Sequence, residues 1–401
     1  MMPSAISTLR PPEYSTPVVW KRTVAAGGHA QFMDGVRLAD DSLIVGGSYL
    51  AKPEDTHSYR PLLARLGERG RADWVVRGEG KSVETIDRVI ARGEGVVTLG
   101  GLERDDGDRA KQLTVALYDA AGKRTGGFSV SEPDGHLIPA AIVPTGDGYY
   151  IAARYENLKQ ADLRFGVVYK VDEAGKRLWR RAYVPGMVTS IDRMAVMANG
   201  DLILAGWLRE EGGRQAGWAV RADRDGNIRW QKTFRRGRMA KLDKVVEGTD
   251  GLGSVVLGGT SWPADGGDRS GAWVIQLDIN GNTQWERFVT GPYIAGIADL
   301  GTLPDGRIAA GITAIPANNQ DADEIPQFRL LTFSKRGAIV SAVSFTDGTG
   351  LSVNRLVDAA GDPVLIGMMH LRDGEDNKAP AKFEGWAAEL QPLKPYQDIC
   401  E

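Results

Sequence analysis

The chain has 401 residues, 49 basic against 52 acidic side chains for a formal charge of −3, four histidines, one cysteine and 51 glycines, about twice the usual glycine share of roughly 7%. One cysteine excludes a disulfide framework and a cysteine-rich zinc site. The balanced charge excludes a global electrostatic drive toward nucleic acid or anionic membrane. Residues 1–17 read as an N-terminal extension; they lack the basic start and apolar run of a signal peptide. The chain as written is therefore expected in the cytoplasm, or in the periplasm or outside the cell if a signal was removed. No stretch reaches the roughly 18 apolar residues of a membrane helix, so a soluble protein with no membrane insertion is expected.

From residue 18 onward the sequence is periodic. VVWKRTV (18–24) reads as an isolated strand, and then short apolar strands ending in a small residue recur as LIVGG (43–47), VVTLGG (96–101), YYIAA (149–153), LILAG (202–206), VVLGG (255–259), RIAAG (307–311) and VLIG (364–367). Their last aligned residues, Gly47, Gly101, Ala153, Gly206, Gly259, Gly311 and Gly367, stand 52 to 56 positions apart. Each follows another strand across a turn such as ANGD or PDGR, whose Gly, Asp and Asn supply hairpin conformations. A second hairpin follows, clearest in WAVRADRDGNIRWQKTF (218–234) and WVIQLDINGNTQWERF (273–288). Four strands per unit result. Trp20 takes the fourth-strand position in VVWKRTV, and Trp74, Trp179, Trp230 and Trp285 stand four residues after a turn glycine, with Gly126 and Ser341 at the two remaining places. A large ring at fixed spacing predicts a packing contact between adjacent units.

The two ends complete each other. GWAAELQ (385–391) has a third-strand pattern with no fourth strand after it, and 18–24 has a fourth-strand pattern with nothing before it. The sequence therefore predicts an all-β, seven-bladed β-propeller of four-stranded antiparallel blades over residues 18–391, closed by pairing of the N-terminal strand with the C-terminal strands, and followed by a tail at 392–401. Units of the form LDxxGNxxWxKxF resemble the quinoprotein-like (W-motif) repeats of bacterial β-propeller proteins. That resemblance implies the propeller fold. It leaves function open, since propellers of this kind serve as dehydrogenases, assembly factors and adhesins.

In such a fold the connections after the second and fourth strands share one face. The second-to-third connections, 48–60, 102–111, 154–164, 207–216, 260–271, 312–327 and 368–384, differ from one another, and variable loops on a rigid frame are where binding specificity usually resides. This face offers Tyr49, His57, Tyr59, His136, Arg154, Tyr155, Trp207, Trp262 and His370 as ligand-binding candidates, with Arg235 and Arg236 from the basic run FRRGRMAK (234–241). These residues could grip a partner or fold over the tips of the units.

Alignment ahead of the first turn gives a second set at the start of the innermost strand: Asp34, Asp87, Ala140, Asp192, Asp243, Ala298 and Asn354, with bases following in Arg88, Arg193, Lys244 and Arg355. They form either a polar rim for a ligand at the central opening or a set of structural hydrogen bonds and ion pairs.

Enzyme signatures fail. VVRGEGKS (75–82) has Val75 where a phosphate loop needs Gly, and HExxH, GxSxG and CxxC are missing. DRDGN (223–227) and DINGN (278–282) resemble calcium loops without the closing Glu and fit hairpin turns. No cofactor and no metal are predicted. The expected function is a monomeric, non-enzymatic binding or scaffold propeller that recognises a protein or glycan, and no nucleic acid, through its variable loops. The alternative is a quinoprotein-type oxidoreductase or lyase with its site at the mouth of the central channel.

Overall fold

The computed structural model describes residues 5–8, 18–50, 52, 58–79, 82–103, 111–248, 250–264, 269–291, 293–316, 327–345, 350–371 and 382–393. His57 lies outside them. They form sheets of mainly antiparallel strands, one of 13 strands, one of five and three of four, and no helix among them is long and apolar enough to cross a membrane.

Strands β1 (Ala5–Thr8) and β2 (Val18–Val24) open the chain. A first group follows in the order β3 (Ala30–Arg37), β4 (Leu43–Leu50), β5 (Tyr59–Leu66) and β6 (Ala72–Arg77). In the second group the first strand is split into β7 (Val83–Glu84) and β8 (Arg88–Arg92), both paired with β9 (Gly95–Glu103), which continues to β10 (Gln112–Tyr118) and β11 (Arg124–Val130). The third comprises β12 (Gly135–Thr145), β13 (Gly148–Asn157), β14 (Arg164–Asp172) and β15 (Arg177–Tyr183), and the fourth β16 (Val188–Val196), β17 (Leu202–Arg209), β18 (Gln215–Ala222) and β19 (Ile228–Phe234). The fifth is β20 (Met239–Glu247), β21 (Val255–Trp262), β22 (Gly271–Leu277) and β23 (Thr283–Thr290), and the sixth β24 (Tyr293–Thr302), β25 (Ile308–Pro316), β26 (Gln327–Phe333) and β27 (Ile339–Phe345). The last group is β28 (Gly350–Val357), β29 (Val364–Leu371) and β30 (Lys382–Leu390), and its fourth strand is β2, with Val24 opposite Gly385 and Val18 opposite Leu390. Strand β1 adds in parallel to β23, Ala5 opposite Arg287.

Middle strands such as β17 and β21 are apolar on both faces and buried on both, because each sheet is covered on two sides. The apolar clusters lie between consecutive groups. Tyr150, Val168 and Tyr183 of the third pack with Ile191, Leu204 and Trp218 of the fourth. Trp20, Val364, Ile366 and Ala387 of the last group pack with Phe32, Leu43 and Leu62 of the first.

The repeated tryptophan completes this packing. Each ring lies over the turn glycine of the following group, not of its own: a Cβ added to Gly122 would sit 2.9 Å from Trp74, and one added to Gly281 3.0 Å from Trp230. The indole N–H groups of Trp74, Trp230 and Trp285 donate to the carbonyls of Ala120, Ile279 and Lys335 in those turns at 3.1, 2.9 and 3.0 Å. Where Gly126 replaces Trp, Phe128 covers Gly175 instead. In the DxxGN turns Asp223 Oδ1 accepts the amides of Asp225 and Asn227 at 2.9 Å, and Asp278 Oδ1 those of Asn280 and Asn282 at 2.9 and 2.7 Å. These carboxylates shape hairpins.

Candidate functional site

The first strands share an irregularity that sets which of their side chains meet. An extra residue interrupts the ladder of β3 between Phe32 and Asp34, β12 between Pro139 and Ala141, β16 between Ile191 and Arg193, β20 between Leu242 and Lys244, β24 between Ile297 and Asp299, and β28 between Val353 and Arg355. In the second group the break between β7 and β8 falls at the same place. A bulge re-aims the side chains around it. It also pushes the preceding carbonyl against the neighbouring strand: a Cβ on Gly47, Gly100, Gly206, Gly259 or Gly367 would lie 1.7 to 1.9 Å from such a carbonyl oxygen. That close approach is the reason for the strand-end glycines.

The bulges correct the sequence alignment. Gly100 and Ile312, not Gly101 and Gly311, match Gly47 and Gly206. The bulged position holds Met33, Asp87, Ala140, Asp192, Asp243, Ala298 and Asn354, so Asp34 belongs one place later, with Arg88, Ala141, Arg193, Lys244, Asp299 and Arg355. The inserted residue shifts everything after it by one, which spacing alone cannot reveal. Sequence reasoning thereby missed Asp299, although it directly follows Ala298.

Side chains from these two positions interact across the groups. Arg355 lies between two carboxylates, its Nε 3.0 Å from Asp34 Oδ1 and its Nη1 2.9 Å from Asp299 Oδ2. Asp34 also accepts the amides of Gly35 and Val89, and Asp299 that of Leu356. Asp299 and Asp34 hold the Arg355 guanidinium above its ordinary value. Asn354 donates to the carbonyl of Phe32 at 2.7 Å. Arg88 donates to the carbonyls of Ala140 and Asp87 at 2.7 and 2.5 Å.

Asp243 receives Lys241 Nζ at 2.6 Å and has Lys244 Nζ at 3.7 Å. Burial alone would raise the Asp243 carboxyl, but Lys244 and Lys241 together hold it below the usual range. Asp192 accepts from the Ser190 hydroxyl at 2.5 Å and Asp87 from the Thr85 hydroxyl at 2.7 Å. Burial pushes the carboxyls of Asp34, Asp87 and Asp192 up. Burial and then Arg355 push the Arg193 guanidinium down. Lys241, expected in a surface basic run, thus belongs to this charged centre.

On the variable face several candidates are already engaged. Strands run further into the expected loops than the apolar pattern implied, β13 to Asn157 and β17 to Arg209. Alternation along β13 turns Tyr155 inward, where it is 7% exposed and stacked on Phe165 at 4.6 Å. It is a core residue and not a loop ligand. Tyr49 donates to the carbonyl of Gly78 at 3.0 Å, His136 Nδ1 accepts the amide of Lys111 at 2.9 Å, and Arg154 pairs with Glu156 at 3.0 Å. Arg235 is paired with Glu210, while Arg236 lies 4.2 Å from the centre of the Phe288 ring and 3.6 Å from Glu286. Tyr59, Trp207 and Trp262 are half-buried. His370 stands opposite Gly350 and Phe383 in β29, its side chain outside the described residues.

A feature not foreseen lies on the same face. Leu158 and Leu163 flank the turn after β13, and Val184 and Met187 lie in the connection to β16; all four are exposed, Val184 and Met187 by more than half at 57% and 54%. The two connections adjoin, because Arg164, just after the first, and Val188, just after the second, are bridged.

No protein-family model matches the chain, and no curated protein sequence does. Among solved structures it is similar to Sqt1 from Chaetomium thermophilum, at 11% identity and a TM-score of 0.50, covering 95% of this chain and 100% of that one. It is also similar to BBS1N, solved in complex with ARL6DN, at 10% identity and a TM-score of 0.51, covering 95% and 98%. At such identity the likeness is one of fold, all-β and propeller-like.

Proposed function

We propose that the chain is a seven-bladed, closed β-propeller of the W-motif kind that acts as a non-enzymatic binding or scaffold protein for a protein partner. Three features support closure. Strand β2 pairs with β30, Trp20 lies on Gly70 as Trp74 lies on Gly122, and Arg355 and Asn354 of the last group bond Asp34 and Phe32 of the first.

The observation that carries the binding reading is the exposed apolar group Leu158, Leu163, Val184 and Met187. Exposed apolar residues occur elsewhere too, among them Leu252, Ile228 and Ile279 at the hairpin turns, but these four lie on two adjoining variable connections, and a contiguous apolar patch marks contact with another protein. A sugar would instead use exposed aromatic faces, and the aromatic candidates beside this group are buried or half-buried. BBS1N, similar in fold, was solved with a protein bound to it.

The test is affinity capture from the source organism with three forms: the natural chain, Leu158→Asp/Met187→Asp, and Ile228→Asp/Ile279→Asp. The last pair is exposed at the hairpin turns, away from the variable connections. A protein held by the natural chain and by the turn variant, and lost from Leu158→Asp/Met187→Asp, is the expected result. The same proteins captured by all three would refute the assignment.

A further inference from the structure

The charged centre is asymmetric, and the asymmetry leaves one arginine without a partner. At the position after each bulge the groups carry, in chain order, Asp34, Arg88, Ala141, Arg193, Lys244, Asp299 and Arg355. Arg355 is flanked at this position by Asp299 from one neighbour and Asp34 from the other; it donates a hydrogen bond to Asp299 and forms an ion pair with Asp34. Arg193 is flanked by Ala141, which offers only a methyl group, and by Lys244, a second cation. Among the described residues no hydrogen bond or ion pair reaches the Arg193 guanidinium. Burial and the Arg355 cation push the Arg193 guanidinium down, against the opposing pull of Asp299, Asp34 and Asp243. Lys244 is only partly compensated, by Asp243 at 3.7 Å.

A guanidinium presents five N–H donors in a planar fork suited to an oxyanion. Arg193 and Lys244 are both half-buried, and no acceptor among the described residues takes the Arg193 donors. An oxyanion would take the place of water on that fork and offset the repulsion between the cations. Arg88 does not compete for that role, since it bonds the carbonyls of Ala140 and Asp87.

We infer that Arg193 and Lys244 form a binding site for a small oxyanion, a carboxylate or phosphate compound that enters the centre and accepts the Arg193 fork. The site is separate from the apolar face described above and does not depend on it.

Calorimetric titration of the whole protein at constant ionic strength, with inorganic phosphate in one arm and succinate in the other, tests this. One probe or both should bind once per chain, and the arm that binds identifies the phosphate or carboxylate source. Arg193→Gln should weaken binding at least about tenfold, the scale of one charge-assisted hydrogen bond. Lys244→Met should weaken it as well, and gives the same reading if Arg193→Gln does not fold. Arg193→Lys, which keeps the charge and loses the fork, should fall between. Leu158→Asp/Met187→Asp should bind as the natural chain does. Failure of both probes to bind at millimolar concentration, or undiminished binding by a folded Arg193→Gln or Lys244→Met protein, would overturn the assignment.

Discussion

Trp20→Ala tests the seam between the two ends of the chain. Trp20 is 9% exposed and sits in an apolar cluster with Phe32, Leu62, Ala64, Val364 and Ala387. Its strand pairs with β30 and its ring lies on the Gly70 turn, where a Cβ would come within 2.3 Å of Cε3. Removing a buried tryptophan side chain costs about 3–5 kcal/mol, in line with roughly 200 Å² of buried surface at about 25 cal/mol per Å². The loss falls on a contact that joins the two ends of the sequence, so it should lower the stability of the whole molecule. Urea unfolding followed by circular dichroism measures it. Gly70→Ala supplies the control: its φ of +71° costs an alanine about 1–2 kcal/mol wherever Trp20 stands, and the overlap with the ring adds to that only when Trp20 is present. In the Trp20→Ala background the cost of Gly70→Ala should fall to the backbone cost alone. A Trp20→Ala protein within about 1 kcal/mol of the natural chain, or an equal cost of Gly70→Ala in both backgrounds, would refute the seam.

Arg355→Met leaves the Asp34 and Asp299 carboxylates facing each other without their cation and should cost about 3–5 kcal/mol at neutral pH. Asp34→Asn/Asp299→Asn in the same chain should recover much of the loss, and denaturant unfolding of the three proteins reads both effects. The Asp192 carboxyl is raised by burial, with the Ser190 hydroxyl opposing. Between its ordinary 3.8 and the raised folded value the native state holds more protons than the unfolded chain, so this residue's contribution falls as pH rises through that window. Asp192→Asn keeps an oxygen for Ser190 and carries no charge. Its stability relative to the natural chain should therefore grow as pH is raised across the window, and a difference independent of pH would contradict the burial argument.

The repeat was legible because each unit solves the same packing problem with the same residues. Trp on the outer strand, a turn Gly beneath the preceding unit's Trp, and Asp closing the hairpin all recur at fixed spacing, so strand order and the pairing of β2 with β30 follow from the sequence. The variable face was less legible. Hydrophobicity marks Leu158 and Met187 as core residues, yet both are exposed, since nothing in a short loop tells whether its apolar side chain turns inward. Tyr155 failed in the other direction, because strand alternation carried it into the core past the point where the small-residue signal ends.

At the centre the obstacle is the bulge, and the same device explains both what was visible and what was hidden. Its protruding carbonyl crowds the facing strand at Gly47, Gly100, Gly206, Gly259 and Gly367, with Ala153 and Ile312 at the two remaining places, so its trace appears as a near-repeat of glycine on the second strand while the extra residue passes unseen on the first. The backbone accommodates the bulge whatever side chains it bears, and the positions there are free to differ: Asp34, Ala141, Arg193 and Arg355 occupy equivalent places. Repetition therefore records the frame, and departures from repetition record the chemistry. Arg355, between two acids, closes a structural ion pair, whereas Arg193, at the equivalent place between an alanine and a lysine, has its donors left for a ligand.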